Sequence, residues 1–160
     1  MRTNVYEKRV KEVMSRDLVT VDAHESVHEA IQLMSENKVA ALPVVDRQGK
    51  CIGFLSSSDL VEVAREVDAG LSELEGSDQT MWGAYLDKLG DHVGHQRVVD
   101  LMSESIVAID PNAPLFDAAS KMLREHVHRL PVLESNGQLV GIVSMTDILR
   151  AFVDSAPLPA

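Results

Sequence analysis

The chain has 160 residues, of which 45% are apolar, 25% charged and 4% aromatic, and its formal net charge is −10. This length suits one compact domain or two very small ones, and the apolar fraction excludes wholesale disorder. The acidic balance excludes a general nucleic-acid or anionic-lipid surface, and no run approaches the ~18 apolar residues of a membrane span.

Two features of the sequence favour a cytoplasmic location. The N-terminal stretch Met1–Arg9 lacks the apolar run of a secretory signal peptide. The one cysteine, Cys51, cannot form an intramolecular disulfide, as expected of a chain kept in a reducing compartment. Cys51 lies in a predicted strand, so we expect it to be a core residue and not a nucleophile.

The first part of the chain predicts alternating strands and helices. Its opening strand is rich in β-branched residues, and the next helix has apolar residues at the i, i+3, i+4, i+7 spacing after Ser26 as N-cap. A turn that ends at Gly49 joins two further strands into a hairpin. In chain order, the predicted elements are strand 18–21, helix 27–34, strands 42–45 and 52–55, and a helix from 56 or 57 to 67.

The middle of the chain, Val61–Val99, has no counterpart elsewhere in the sequence and predicts one further helix. Over Asp78–Leu89 apolar side chains, Trp82 and Tyr85 among them, fall on one face, and Gly90 ends the helix. This face either packs on the chain's own core or binds a partner protein.

The second part of the chain repeats the first. An offset of 88 residues aligns Val13–Leu60 with Leu101–Ile148 without a gap, and 14 of the 48 aligned positions are identical. Chance does not explain this ungapped identity, so each copy predicts a β-α-β-β-α unit. A unit this small buries too little surface alone, so we expect two pseudo-symmetric copies to pack together in an α/β (α+β) fold.

A pattern present in both copies resembles a known family. Each copy contains Leu-Pro-Val, a turn glycine, and then a strand glycine followed by two apolar residues and Ser-x-x-Asp, which reads GIVSMTD over 141–147. The chain is similar to a tandem CBS-domain pair (a Bateman module). Its second copy is especially close to the gamma regulatory subunit of AMP-activated protein kinase.

The resemblance implies a fold, a ligand class and a role. Two repeats of this family pack by their sheets, pairs usually dimerise into a flat disc, and adenosine ligands bind in clefts between the repeats. AMP, ADP or ATP is the implied ligand, with S-adenosylmethionine or NAD as alternatives and magnesium only as a companion of ATP. Since members regulate an attached or separate protein without chemistry of their own, we expect a non-enzymatic homodimer and an unidentified regulated protein.

The resemblance also assigns binding residues in the second copy. Asp147 is expected to accept hydrogen bonds from the ribose hydroxyls, and Ser144 to lie near ribose and phosphate at the start of the last helix. His128 and Arg129 match positions that contact phosphate in the family, and an arginine suits a planar, bidentate contact. The nearby cations that could add to a local basic patch are Lys121, Arg124 and His126.

The first copy departs from this pattern. Ser56 and Asp59 match the ribose motif, and Thr20 matches a threonine that faces the sugar in the family. Ala40–Ala41, however, stands where the second copy has its histidine and arginine, and Ala108 stands where the first copy has its threonine. Each copy therefore has only some of the binding residues of the family. The sequence is compatible with one occupied site per chain or with two.

Structural explanations compete with these assignments. Ser-x-x-Asp before a helix is also the pattern of a capping box, which alone would account for both motifs. In combination with the glycines and the repeat, we favour ligand binding. Gly53 and Gly141 lie inside predicted strands and indicate a close approach of backbone, by a ligand or by a helix.

Two groups of residues resemble catalytic motifs, but neither satisfies the requirements of its motif. His24–His28 spells HExxH, but its first two residues precede the Ser26 cap, so the histidines do not share a continuous helix as a zinc protease requires. A hydrolase built from Ser144, His128 and Asp147 lacks the nucleophile elbow around its serine. We therefore expect neither an enzyme nor a metal site.

The predicted function is a sensor that binds an adenosine nucleotide and controls a partner or an oligomeric state. The alternative is a ligand-free interaction scaffold that uses the 78–89 helix as its partner surface. The predicted organisation is a lead-in over 1–12, the first CBS repeat over 13–67, an inserted helical linker over 68–98, the second repeat over 99–154 and a disordered tail over 155–160.

Overall fold

The computed structural model describes residues 4–67 and 95–157, which form two compact units. Unit 1 contains the described residues of Met1–Leu18, Gly49–Cys51 and Val107–Ala160, and unit 2 contains those of Val19–Gln48 and Ile52–Ile106. No helix within the described stretches has the length and hydropathy needed to cross a bilayer.

The described elements follow one another along the chain in an order that repeats. In sequence they are a 3₁₀ turn (Val5–Glu7), α1 (Val10–Val13), β1 (Val21–Asp22), α2 (Val27–Asn37), β2 (Ala41–Val45), β3 (Cys51–Ser56), α3 (Ser57–Val67), α4 (Val98–Leu101), α5 (Leu115–Glu125), β4 (Arg129–Leu133), β5 (Leu139–Ser144) and α6 (Met145–Ser155).

A three-stranded sheet and two long helices make up most of unit 2. The strand order is β1-β2-β3, and β1 runs parallel to β2 with Val21 opposite Val44. Val27 and Met34 lie on the buried face of α2, as the apolar periodicity predicts. They belong to the same core as Leu42 of β2, which has no exposed surface.

Unit 1 repeats this arrangement around the antiparallel pair β4 and β5. Arg129 lies opposite Ser144 at one end of this hairpin, and Val132 lies opposite Gly141. Leu115 and Met122 of α5 are buried in the core of this unit, at the positions equivalent to those buried in α2.

Each unit combines the body of one copy with the lead-in helix of the other. Helix α1, which precedes the first copy, packs on α6 and β5, and its Val10 is completely buried in the core of unit 1. Helix α4, which precedes the second copy, packs on α3, and its Val98 is completely buried in the core of unit 2. The two lead-ins are therefore exchanged between the copies.

The strand glycines allow the end of each lead-in to approach a strand closely. Ser15 exchanges two backbone hydrogen bonds with Ile142, of 2.8 and 3.0 Å, next to Gly141. Ser103 makes the same pair of bonds with Phe54, of 2.8 and 2.9 Å, next to Gly53. The predicted close approach is confirmed, and a segment of the chain itself makes it.

The Gly141→Ala variant is expected to lower the free energy of unfolding by about 1–3 kcal/mol, because overpacking in a fitted interior has costs of this size. A Cβ at this position would contact Sδ of Met14 and would lie 3.0 Å from the carbonyl oxygen of Ser15. Urea denaturation measures the change. Adding Met14→Ala should recover part of the loss, and an unchanged free energy of unfolding in Gly141→Ala would contradict the contact.

The first strand of the second copy, predicted over 106–109, is reduced to one parallel bridge at Ile109. Its N–H donates to the carbonyl of Pro131, and its carbonyl accepts from the N–H of Leu133, both at 3.0 Å. The next bond in either direction needs an N–H from Pro131 or Pro111, and proline has none. The ladder therefore ends after a single residue.

The equivalent strand of the first copy, predicted over 18–21, is β1, which spans Val21–Asp22. Its pairing with β2 therefore begins at the last predicted residue and continues beyond it. Ala23 stands where the second copy has a proline, and its N–H donates to the carbonyl of Val45 at 3.0 Å. Pro43 of β2 has no N–H to offer the residues before Val21. The strand is therefore extended at its end and shortened at its start.

Two local predictions are confirmed, and others fall outside the described residues. The Ser26 hydroxyl accepts from the N–H of Glu29 at 3.2 Å and caps α2, and Cys51 is buried. The helix predicted over Asp78–Leu89 lies outside the described residues. The division of the chain into five segments stays a prediction.

Candidate functional site

In unit 1 the junction between β5 and α6 is a reciprocal cap. The Ser144 N–H donates to Oδ2 of Asp147 at 2.8 Å, and the Asp147 N–H donates to Oγ of Ser144 at 3.1 Å. This is the capping box that the Ser-x-x-Asp spacing predicts. The cap fixes both side chains at the amino end of an 11-residue helix, where the helix dipole favours an anion.

The two predicted phosphate-contacting residues lie beside this cap. Arg129 begins β4 directly opposite Ser144, and side chains in such a cross-strand pair have Cβ atoms about 4.5–5.5 Å apart. The carbonyl of His128 accepts from the N–H of Met145 at 2.9 Å. The structure therefore brings His128, Arg129, Ser144 and Asp147 together, with the first two exposed and the last two half-buried.

One contact at this site has no signal in the sequence. Nδ1 of His128 lies 3.0 Å from Sδ of Met145. Met145 is the first residue of α6 and is partly buried against the core of unit 1, and the aligned residue of the first copy is Ser57. This contact orients the imidazole at the amino end of α6.

Of the basic residues that the sequence places near this site, Lys121 and Arg124 already have partners within the chain. The ammonium of Lys121 donates a hydrogen bond to the carbonyl of Ala108. Arg124 pairs with Glu125 at 3.4 Å on an exposed stretch of helix. Arg129, by contrast, makes no ion pair within the described part of the chain, so its guanidinium is available to an anion.

The cap leaves polar groups of unit 1 available for a ligand. A carboxylate accepts roughly four hydrogen bonds, and Asp147 uses only Oδ2, for the Ser144 N–H. Oδ1 of Asp147 has no partner among the described residues. Oγ of Ser144 accepts one bond and donates none to any residue that the structure describes. The junction thus offers one carboxylate oxygen, one hydroxyl proton and one guanidinium.

Unit 2 repeats the cap but differs in its chemistry. The Ser56 N–H donates to Oδ2 of Asp59 at 2.8 Å, and the Asp59 N–H donates to Oγ of Ser56 at 3.2 Å. Here the Ser56 hydroxyl also donates to the Asp59 carboxylate, at 2.9 Å. The backbone turn is the same as in unit 1, because the Ser57 N–H donates to the carbonyl of Ala40 at 2.8 Å. Ala40 and Ala41, whose side chains are methyl groups, stand at the positions of His128 and Arg129.

Thr20 lies across the sheet from the cap of unit 2. It immediately precedes β1, and β2 lies between β1 and β3, which ends at Ser56. Strands are spaced by about 4.8 Å, so roughly 10 Å of sheet separates the two hydroxyl-bearing residues. The structure therefore brings Ser56 and Asp59 together but places Thr20 apart from them.

The HExxH pattern does not form a zinc-binding helix. Ser26 is the N-cap of α2, and the helix begins at Val27, so His24 lies outside it. The His24 N–H donates to Oδ1 of Asp22 at 2.8 Å, in a turn before the cap. Within residues 4–67 and 95–157, no three histidine, cysteine or carboxylate side chains cluster as metal ligands.

Comparisons with known proteins match both copies. The sequence model of the CBS domain matches residues 10–66 and 98–154. The CBS domain-containing protein YhcV of Bacillus subtilis is 31% identical over 139 residues, which are 87% of this chain and 81% of YhcV. The pig (Sus scrofa) 5'-AMP-activated protein kinase subunit gamma-3 is 30% identical over 138 residues. These residues are 86% of this chain but only 24% of that subunit.

The fold of the chain is also similar to that of a solved structure. The crystal structure of CBSX2, a protein of Arabidopsis thaliana, in complex with AMP superposes with a TM-score of 0.68 and 29% identity. The match covers 91% of this chain and 96% of that one. The fold class expected from the repeat is confirmed. Because both copies match the family and together make up most of the sequence, the chain belongs to the CBS-domain family.

Proposed function

We propose that this chain is a regulatory module that binds an adenosine nucleotide, AMP, ADP or ATP, at the β5–α6 junction of unit 1. The observation that carries the proposal is the convergence of Arg129, Ser144 and Asp147 at one helix start. The crystal structure of CBSX2 in complex with AMP supports the ligand class. S-adenosylmethionine and NAD share the adenosine group and are the alternatives to be tested.

Each part of the nucleotide has a complementary group at the junction. Oδ1 of Asp147 can accept from the vicinal hydroxyls of the ribose, a role that acidic residues have in other nucleotide-binding folds. The Ser144 hydroxyl and the amino end of α6 suit a phosphate oxygen. Arg129 adds a charge-assisted, bidentate contact, and His128, held against Met145, adds a further nitrogen.

The site of unit 2 suits a less charged ligand. Ser56 and Asp59 offer the same cap to a ribose, and Thr20 is our candidate for a further sugar contact. The Ser56 hydroxyl, however, already donates to Asp59, and Ala40–Ala41 supplies no cation. A phosphate would find neither a free hydroxyl proton nor a guanidinium there, so we expect nucleotide affinity to be concentrated in unit 1.

The proposed role is regulation without catalysis. The Ser144 oxygen is held as a helix cap by the Asp147 N–H, which is a structural role and not that of an activated nucleophile. The match to a kinase subunit supports control of a separate protein. We propose that bound nucleotide shifts the population of a homodimer or of a complex with that protein. A cytoplasmic location and the absence of a nucleic-acid partner stay predictions.

A thermal-shift titration tests the proposed function directly. AMP at 100 times its dissociation constant is expected to add about 2.7 kcal/mol of stability, which raises the Tm by several degrees for a domain of this size. The ligands to compare are AMP, ADP, ATP with and without magnesium, S-adenosylmethionine, NAD and adenosine, with CMP as the control for the base.

Each outcome of the titration has a distinct meaning. A shift with AMP, ADP or ATP but not with CMP supports the proposal and identifies the signal. A shift with S-adenosylmethionine alone would support an adenosine site but contradict the role of Arg129. No shift with any of them would overturn the proposal in favour of the scaffold that uses the 78–89 helix.

A further inference from the structure

The imidazole of His128 and the thioether of Met145 are in direct contact beside the junction of β5 and α6. Nδ1 of His128 lies 3.0 Å from Sδ of Met145. Non-bonded carbon atoms lie roughly 3.5–4.0 Å apart, and sulfur is larger than carbon. The two atoms are therefore joined by a hydrogen bond and not by packing alone.

The chemistry of the two groups decides which of them carries the hydrogen of this bond. A thioether sulfur is a weak acceptor and has no hydrogen to donate. The hydrogen must therefore belong to Nδ1 of His128. Since only one nitrogen of a neutral imidazole carries a hydrogen, a neutral His128 has its lone pair at Nε2.

The backbone holds the two side chains in this arrangement. The Met145 N–H donates to the carbonyl of His128 at 2.9 Å, so the residues are joined by main chain as well as side chain. Met145 also packs against the core of unit 1. The ring of His128 cannot take the other tautomer where it lies, because two lone pairs would then face each other across 3.0 Å.

We propose that Met145 is a positioning residue that keeps neutral His128 in the Nδ1–H tautomer, so that His128 contacts a nucleotide phosphate only as the imidazolium. The proposal rests on the proposed function for the presence of the phosphate. A phosphate oxygen needs a donor, and Nε2 of the neutral ring offers only a lone pair. The contact therefore takes up one proton from solvent at Nε2, which then donates a charge-assisted hydrogen bond.

The charges around His128 are of both signs. Arg129 follows it in β4, the amino end of α6 adds partial positive charge, and Asp147 adds negative charge in the first turn of that helix. The titratable groups that precede it at the end of α5 are Arg124, Glu125 and His126. A bound phosphate shifts this balance towards negative charge and so favours the imidazolium.

The first copy has the same turn without the two side chains. Ala40 aligns with His128, and Ser57 aligns with Met145. The backbone bond is retained, since the Ser57 N–H donates to the carbonyl of Ala40 at 2.8 Å. The repeat therefore provides the turn, and we expect the dependence on a proton only in unit 1.

The ¹⁵N chemical shifts of the histidine rings measure the tautomer. The signal of His128 is assigned among the six histidines by its loss in His128→Gln. In the nucleotide-free chain above about pH 8, where histidine is ordinarily neutral, we expect the hydrogen at Nδ1. Met145→Leu keeps the side-chain volume but removes the acceptor, so the Nε2–H form is expected to gain population. A native chain with its hydrogen at Nε2 would overturn the proposal.

Calorimetry in buffers of different ionisation enthalpy measures the protons taken up when AMP binds. The titrations are made above about pH 7, where the phosphate is a dianion because the second pKa of a phosphate monoester is about 6. We expect net proton uptake by the native chain and smaller uptake by Met145→Leu. Met102→Leu, which changes a partly buried methionine of unit 2, is expected to retain the native uptake.

The affinity for AMP is expected to fall as the pH rises, because the imidazolium is lost. Between about pH 6.5 and 8.5 the loss should be about 10-fold for the native chain, the size of one hydrogen bond to a charged group. Met145→Leu should lose clearly less over the same range, because its neutral ring can donate from Nε2. The affinity for adenosine, which has no phosphate, should not change.

This inference and the proposed function can fail separately. AMP binding with equal proton uptake in the native chain and in Met145→Leu would overturn this inference alone. No AMP binding, with His128 in the Nδ1–H form, would overturn the proposed function and leave the tautomer established.

Discussion

The Asp147→Asn variant is expected to weaken AMP binding about 10- to 100-fold, since hydrogen bonds to charged groups contribute roughly 1.5–3 kcal/mol. Asparagine retains a side-chain oxygen that can accept from the Ser144 N–H, so the cap of α6 is preserved. It replaces the second carboxylate oxygen with a donor, which cannot accept from the ribose hydroxyls. Isothermal titration calorimetry with AMP measures the loss.

The first copy supplies the control for this variant. Asp59 makes the same backbone cap in unit 2 and also accepts from the Ser56 hydroxyl. The asparagine oxygen can accept both bonds, so Asp59→Asn should likewise have only a small effect on the free energy of unfolding. Its effect on AMP affinity is expected to be below 2-fold, because the phosphate contacts lie in unit 1. Equal loss of affinity in the two variants, or none in Asp147→Asn, would remove the ribose role from Asp147.

The Arg129→Ala variant is expected to lower the affinity for AMP about 10- to 100-fold while changing the affinity for adenosine less than 2-fold. A charge-assisted contact with phosphate is lost in the first case, and nothing charged is lost in the second. Arg129→Lys should give an intermediate affinity, because a lysine keeps the charge but not the bidentate geometry. The measurement is a titration with both ligands at two salt concentrations.

Salt dependence and the aligned alanine provide the controls. AMP binding by the native chain should weaken as salt is raised, and binding by Arg129→Ala should depend on salt less steeply. Ala41→Arg places a guanidinium at the equivalent position of unit 2 and is expected to increase phosphate preference there. Parallel losses for AMP and adenosine in Arg129→Ala would contradict a phosphate contact.

Much of the site was predictable because the sequence contains the motif twice. The Ser-x-x-Asp spacing specifies a capping box wherever a strand leads directly into a helix, and both pairs form it. The glycine before each motif marked the close approach of another segment. These are local rules, in which the residue type and its spacing determine the geometry.

Other features of the site depended on contacts that spacing does not encode. The Ser56 hydroxyl donates to its own carboxylate, whereas the Ser144 hydroxyl does not, although the two motifs have the same spacing. The contact between His128 and Met145 follows from the meeting of a strand start and a helix start that lie 17 residues apart. Likewise, the missing strand at Ile109 is explained by prolines on two segments that pair only in the fold.

The exchange of α1 and α4 has a consequence for the ancestry of this fold. Each lead-in fills the core of the unit that the other copy builds, so a polypeptide with one copy would lack the segment that completes its own interior. A single-copy ancestor would have required a second chain to donate that segment. Gene duplication and fusion would then have turned a contact between two molecules into one within a single molecule, at a far higher effective concentration.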